Sequence, residues 1–191
     1  MAYAISIFTD TSVLYQSSTP TQYVGNSGEK FVVPSSCPFT TIDFTATIIP
    51  QGYGHRWMVS YGPEHYMGLS VGVCNGKLRC DVMGTYIEAG SLPNDVTSVV
   101  RMTWDGTTLE CYINGNIVGS EKTSVSEIPC STELWISGEQ YGGGRFWYRG
   151  SMDKVILRTQ LPGLLETLRS VSYTHLRAHE THEHLLCRRL L

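Results

Sequence analysis

Apolar and polar residues alternate with a period of two along much of this chain, the pattern of strands that keep one face in a core and the other in water. In TTIDFTATII, residues 40–49, Ile42, Phe44, Ala46 and Ile48 alternate with Thr41, Asp43, Thr45 and Thr47, and Pro50 closes the run. The alternation returns in TSVVRMTWDGTTLECYINGNIVGSE, residues 97–121, broken by Asp105-Gly106 and Asn114-Gly115. Such dipeptides suit two-residue type I′ turns, because Gly, Asn and Asp tolerate the positive φ those turns require. A two-residue turn at Asp105-Gly106 sets Trp104 opposite Thr107, Met102 opposite Leu109 and Val100 opposite Cys111. Val100, Met102, Leu109, Cys111 and Ile113 then share one face, and the second turn brings Val118 opposite Cys111. That face is the predicted centre of the core.

A third hairpin is expected around Asn75-Gly76, joining Tyr66–Cys74 to Lys77–Met83 with Cys80 opposite Val71. Shorter strands are predicted at Tyr3–Phe8, Phe31–Val33, Trp57–Tyr61, Glu133–Ser137 and Phe146–Leu157, the last interrupted at Gly150. The polar stretch before Gly28 reads as loop or weak edge structure, and Gly84–Asp95 as a connection with an edge strand at Tyr86 and Ile87. Many short strands, close turns and no βαβ pattern predict an all-β sandwich or barrel.

Composition agrees: Gly 19, Tyr 11 and Trp 4 suit strands and tight turns. At 16% charged residues and a formal charge of -3, with no basic stripe, neither nucleic acid nor an anionic membrane surface is an expected partner. No apolar run is long enough to insert into a bilayer. The start, MAYAISIFTD, lacks the basic n-region of a signal peptide, so cytoplasmic synthesis is expected. None of the six cysteines forms a Cys-x-x-Cys motif, and the hairpin register puts Cys74 and Cys80 on opposite faces. Buried thiols are the plain expectation.

With this order of elements, the chain resembles the laminin G-like, concanavalin A-like lectin/glucanase superfamily. FTTIDFTATIIP is similar to its early strand, VVRMTWDGTTLECYINGNIVGS to its central meander, and ELWISGEQYGGGRFWYRGSMDKVILRTQLP to its closing segment. In the closing segment the matching positions are Tyr148, Gly150, Met152, Asp153 and Val155. The resemblance runs from about Phe31 to Leu161 and implies an antiparallel two-sheet jelly-roll sandwich. It further implies a glycan-binding or adhesion module, in some members with calcium, and in others a glycoside hydrolase. Asp43, Asp95 and Asp153 are candidate oxygen donors, though each also suits a turn, edge or cap, and the metal stays open.

Glycosidases need two carboxylates held across a cleft. No Glu-x-Asp-x-x-Glu strand is present, and Glu64, Glu88, Glu110, Glu133 and Glu139 are scattered, so a non-enzymatic module is expected. Sugar-binding sites stack C–H faces on aromatic rings and fix hydroxyls with polar groups. Two loops have that chemistry. QGYGHRW supplies Tyr53, His55, Arg56 and Trp57, and EQYGGGRFWYRG supplies Gln140, Tyr141, Arg145 and Trp147. Trp57 and Trp147 equally suit a core, whereas Tyr53 and Tyr141 stand beside glycines in loops. The expected partner is a glycan or a protein surface. The alternatives are a structural or receptor-facing module of a phage or other virion, which needs no secretion signal, and a glycoside hydrolase or a fragment of one.

The end of the chain differs from the rest. The sandwich is expected over 1–165 and a non-domain tail over 166–191. The tail holds His175, His179, His182 and His184, but Glu183 stands where a His-Glu-x-x-His zinc motif needs its second histidine. VSYTHLRAHET, residues 171–181, resembles one reading frame of a sequencing-library adapter, and LLCRRLL a translated flow-cell primer with two departures. Read-through from about Ser170 in an assembled, metagenomic sequence is the expectation, leaving the natural carboxyl end unknown. Arg177, Arg188, Arg189, Glu180 and Glu183 leave the domain with it, and only His55 and His65 remain.

Overall fold

The computed structural model describes residues 13–25, 29–32, 39–62, 67–129, 131, 133–138 and 146–159. The strand expected at Tyr3–Phe8 and the histidine-bearing tail lie outside them. The described residues form thirteen strands and no helix. A first sheet is built from β1 (Val13–Ser17), β2 (Thr21–Val24), β4 (Ile42–Pro50), β9 (Ser98–Trp104), β10 (Thr108–Ile113), β11 (Asn116–Lys122) and β13 (Arg149–Arg158). Its order is β1-β13-β4-β9-β10-β11, with β2 also on β13. The second sheet contains β3 (Glu29–Val32), β5 (His55–Tyr61), β6 (Leu69–Cys74), β7 (Lys77–Val82), β8 (Thr85–Ala89) and β12 (Glu133–Ile136), ordered β3-β12-β5-β6-β7-β8.

All pairings between these strands are antiparallel, so the fold is the two-sheet sandwich that the alternation predicts. Ile42, Phe44, Ala46, Ile48, Val100, Met102, Leu109 and Cys111 of the first sheet are fully buried. They join one apolar cluster with Leu69, Val71, Leu78, Cys80, Val82, Leu134 and Ile136 of the second. Removing this apolar surface from water is the main term holding the sheets together.

The turns set the registers, and here the sequence reading needs two corrections. Asn75-Gly76 (φ 49 and 76) and Asn114-Gly115 (φ 51 and 81) are two-residue turns with positive φ at both positions, pairing Cys74 with Lys77 and Ile113 with Asn116. Asp105-Gly106 is not. Trp104 pairs with Leu109, Met102 with Cys111 and Val100 with Ile113, because the connection spans Asp105 to Thr108. The Asp105 carboxylate accepts from the amides of Thr107 at 2.9 Å and Thr108 at 2.7 Å and from the Thr107 hydroxyl at 2.8 Å. That side-chain turn replaces the backbone turn. The slip is two residues, so the apolar face survives unchanged.

The second correction is at Cys111, which faces Gly119 and not Val118. A bulge absorbs Val118, which packs on the core from the side. A Cβ on Gly119 would come within 2.5 Å of Ile87 Cγ2 on β8, so a glycine fits where the two sheets' edges approach.

Part of the polar stretch before Gly28 forms β1 and β2, held to β13 by backbone pairing, with Tyr23 the one deeply buried side chain on them. β13 runs through Gly150 without interruption. Gly150 has φ 128, and a Cβ there would sit 2.1 Å from the Ile49 carbonyl oxygen, so the strand demands glycine at that point. Tyr148 beside it is fully buried, packs edge-on against Tyr23 at 6.2 Å and donates to the Ser151 carbonyl at 3.2 Å. The closing-segment residues Tyr148, Gly150, Met152 and Val155 are therefore framework rather than site.

Candidate functional site

The strands of the second sheet also alternate, apart from a bulge at Met58 in β5, and most residues in the middle of its outer face are buried rather than ordinary surface. One ladder row crosses six strands: Lys30, Trp135, Ser60, Ser70, Asp81 and Tyr86 are successive register partners. The next row holds Trp57, Gly72, Arg79 and Glu88, and beyond it lie His55, Cys74 and Lys77. Small residues occupy the middle, with aromatic and charged ones around them.

Gly72 makes the second row possible. A Cβ there would lie 2.4 Å from the Arg56 carbonyl oxygen and 2.7 Å from Cε3 of Trp57, so the indole lies across the bare backbone of β6. Arg79 follows in the same row. Its guanidinium carbon is 5.8 Å from the Trp57 ring centroid and 4.1 Å from that of Tyr86, a cation between two aromatic faces. It also approaches two carboxylates, Asp81 at 3.6 Å and Glu88 at 3.5 Å. On the other side, Lys30 pairs with Glu133 and lies 5.7 Å from the Trp135 ring.

Four buried side-chain polar atoms among the described residues lack a hydrogen-bond partner: Ser70 Oγ, Arg79 Nε, Glu133 Oε2 and Trp135 Nε1. All four residues belong to this face. Burial without a partner costs about 1–3 kcal/mol for each such group, so their concentration on one face needs a reason. Burial also pushes the Asp81 carboxyl up to about 6, opposed by hydrogen bonding from the Gly84 amide and by the nearby Arg79 charge. At the end of the face, Cys74 Sγ lies 3.1 Å from His55 Nε2. Burial pushes that thiol up to about 11, which keeps it protonated and a poor nucleophile at neutral pH.

Of the sequence-selected residues, His55 and Trp57 fall on this face, and Tyr53 precedes them on an open turn, 77% exposed. Arg56 Nε donates to the Tyr53 carbonyl at 3.2 Å. Trp57 is 2% exposed, yet it packs on the outer face and not in the core cluster. Trp147 is half-buried and bridges to Trp57, and the Trp57 amide donates to the Phe146 carbonyl at 2.7 Å. The described parts of the two loops therefore meet at one end of the second sheet. Gln140, Tyr141 and Arg145 lie outside the described residues.

The candidate metal ligands are spread apart. Asp43 accepts from Arg101 Nε at 2.7 Å, Asp95 from Gln51 Nε2 at 2.9 Å, and Asp153 from the Lys154 amide at 2.7 Å. Among the described residues no three His, Cys, Asp or Glu side chains converge to hold a metal ion. No helix among them is long and apolar enough to cross a membrane.

A sequence profile of the laminin G type, described as the concanavalin A-like lectin/glucanases superfamily, matches residues 34–159. The chain belongs to this superfamily. A search of curated proteins found no match. Among solved structures, the chain is similar to a carbohydrate-binding module, CBM40, of a Ruminococcus gnavus IT-sialidase bound to α2,3-sialyllactose, with TM-score 0.61 and 9% identity over 78% of this chain and 93% of that one. Domains LG4-5 of the mouse laminin α1 chain match with TM-score 0.58 and 11% identity, over 81% of this chain and 47% of that one. Domain 4 of an extracellular arabinanase from Geobacillus stearothermophilus, in complex with arabinotriose, matches with TM-score 0.55 and 12% identity, over 76% and 74%. At such identities the likeness shows a shared fold, and the site has to be argued from this chain's own residues.

Proposed function

We propose that this chain carries a non-catalytic recognition module, expected over residues 1–165, that binds a glycan on the outer face of its second sheet. One observation carries the reading: the face offers two reachable rings, Tyr86 at 52% exposure beside Arg79 and half-buried Trp135 beside Lys30. Rings to stack on with polar groups beside them are what a sugar requires. The sialyllactose and arabinotriose bound to two of the structurally similar domains support it. Hydrolysis is disfavoured because Asp81 and Glu88 both turn to Arg79, and Asp81 is 1% exposed, whereas a glycosidase pair faces a substrate.

The test is a glycan array with the full chain, run with and without calcium. Binding that is lost in Tyr86→Ala is expected. No binding to any glycan under either condition sinks the proposal and turns attention to a protein partner, including one on a virion.

A further inference from the structure

We infer that the end of the sandwich where β4 turns into β5 holds an oxyanion between Arg56 and Arg149, and that the group it takes is the sulfate or carboxylate of an acidic sugar stacked on Tyr53. This site lies apart from the sheet face proposed above and does not depend on it. The turn itself is a fixed platform. The Gln51 amide donates to the Arg149 carbonyl at 2.9 Å, the Asp95 amide to the Pro50 carbonyl at 2.9 Å and the Asn75 amide to the Gly54 carbonyl at 3.2 Å, so three other segments hold it by backbone bonds.

Two arginines are steered to one point on this platform. Arg56 Nε donates to the Tyr53 carbonyl at 3.2 Å, and Arg56 Nη2 lies 3.9 Å from the place a Cβ of Gly52 would occupy. Arg149 Cδ lies 3.8 Å from that same place. The Arg149 stem also runs along Gly25, its Cβ 3.4 Å and its Cδ 3.6 Å from the corresponding position there, so bare backbone at two glycines guides it. Guanidinium groups brought together disfavour each other's charge, and a carboxylate between them would relieve this. Arg79 and Arg101 have such partners. Arg56 and Arg149 form no ion pair among the described residues, and Asp95, the carboxylate bonded to the turn, accepts from Gln51 Nε2 at 2.9 Å.

The backbone adds donors. Gly52 and Gly54 have positive φ, 82 and 93, and Tyr53 between them does not, an alternation that turns successive N–H groups toward one side and forms an anion-holding concavity. No backbone acceptor takes the amides of Gly52, Tyr53 or Gly54 among the described residues. A ligand can reach all of these groups, because Arg149 is exposed, Arg56 half-buried and Tyr53 77% exposed. The planar forks of two arginines suit a sulfate or carboxylate, and the Tyr53 ring beside them offers a surface for a sugar's C–H face that a bare inorganic ion would not use. A neutral sugar would leave the two charges as they are.

Amide NMR of the full chain, titrated with sodium sulfate and with a neutral disaccharide, its sulfate ester and its uronic-acid analogue, tests the site. Both acidic sugars are expected to bind at least about tenfold more tightly than the neutral one, with shifts centred on Gly52, Tyr53 and Gly54 and a preference that shrinks as salt rises. A stronger response to the sulfate ester identifies a tetrahedral oxyanion as the ligand group, and a stronger response to the uronic acid a planar carboxylate. Arg56→Gln and Arg149→Gln, checked for fold by circular dichroism, are each expected to remove most of the preference. Tyr53→Ala is expected to weaken the acidic sugars severalfold and to leave inorganic sulfate unchanged. Acidic sugars that bind no better than the neutral one, or a preference that survives the two arginine substitutions together, overturn the site. Shifts with inorganic sulfate alone reduce it to an adventitious ion and overturn the acidic-sugar ligand. Tyr86→Ala, on which the glycan face depends, is expected to leave the acidic preference intact, so the two proposals fail separately.

Discussion

On the outer face of the first sheet, Asp43, Thr45 and Thr47 of β4 sit beside Thr103, Arg101 and Val99 of β9, and the polar groups there satisfy one another. Arg101 donates to Asp43 at 2.7 Å and lies 5.8 Å from the Tyr112 ring, while the Tyr112 hydroxyl donates to Glu110 at 2.5 Å. None of its buried side-chain polar atoms is without a partner among the described residues. The outer face of the second sheet has the same period and similar charges, yet four such atoms remain unpartnered there. Strand alternation alone thus does not make a binding surface. The difference lies in whether the outward side chains complete one another or leave hydrogen-bonding capacity for something else.

The comparison breaks most visibly at Trp57. Trp57→Ala is expected to destabilise the fold by about 3–5 kcal/mol, because it removes an almost fully buried indole and uncovers Gly72 and Arg79. Urea unfolding measures this, and a change below about 1 kcal/mol would show that the second sheet's outer face has no packed layer of its own.

A smaller effect is expected from Asp81, whose carboxyl rises from 3.8 to about 6 in the fold. Above pH 6 the folded state holds a carboxylate that burial disfavours, and below 3.8 folded and unfolded chains are both protonated. The stability contributed by this group is therefore full below about pH 4 and lost as pH rises through about 6, by about 3 kcal/mol at most. Asp105 works in the opposite sense: amide and hydroxyl donors lower its pKa, so its contribution is lost as pH falls. The difference between wild type and Asp81→Asn, measured from pH 4 to pH 7, isolates Asp81. A flat difference would refute a buried charge at the centre of the face.

Thr47→Ala on the first sheet is expected to change stability by no more than about 0.5 kcal/mol and to leave glycan binding unaltered. Loss of binding on that substitution, with the fold intact, would move the site to the other face.

Much of this was legible from residues alone, and the misses have physical causes. The alternation in TTIDFTATII and the Asn-Gly turns carried the sheets, because side-chain period and turn chemistry are local. The Asp105 register failed because a carboxylate turn and a backbone turn share the same dipeptide, and only the surrounding amides decide between them. The Val118 bulge has no local signature, and the Gly119 that follows it is closed to a Cβ by the distant Ile87. The site was half legible. His55 and Trp57 came from their loop chemistry, but Ser70, Arg79, Asp81 and Tyr86 were passed over although the Asn75-Gly76 register already paired Ser70 with Asp81 and Gly72 with Arg79. Their partners Trp135 and Lys30 arrive from β12 and β3, far along the chain, and no local pattern announces that row.

Cys80 and Cys111 lie fully buried, one in each sheet, and burial together with the neighbouring Cys111 thiol holds Cys80 well above its ordinary pKa. An alkylating reagent can reach them only when the sheets part. Their labelling rates, read peptide by peptide by mass spectrometry, would therefore time whole-domain opening. Cys74, at the end of the second sheet's outer face beside His55, would report local fraying on the same clock.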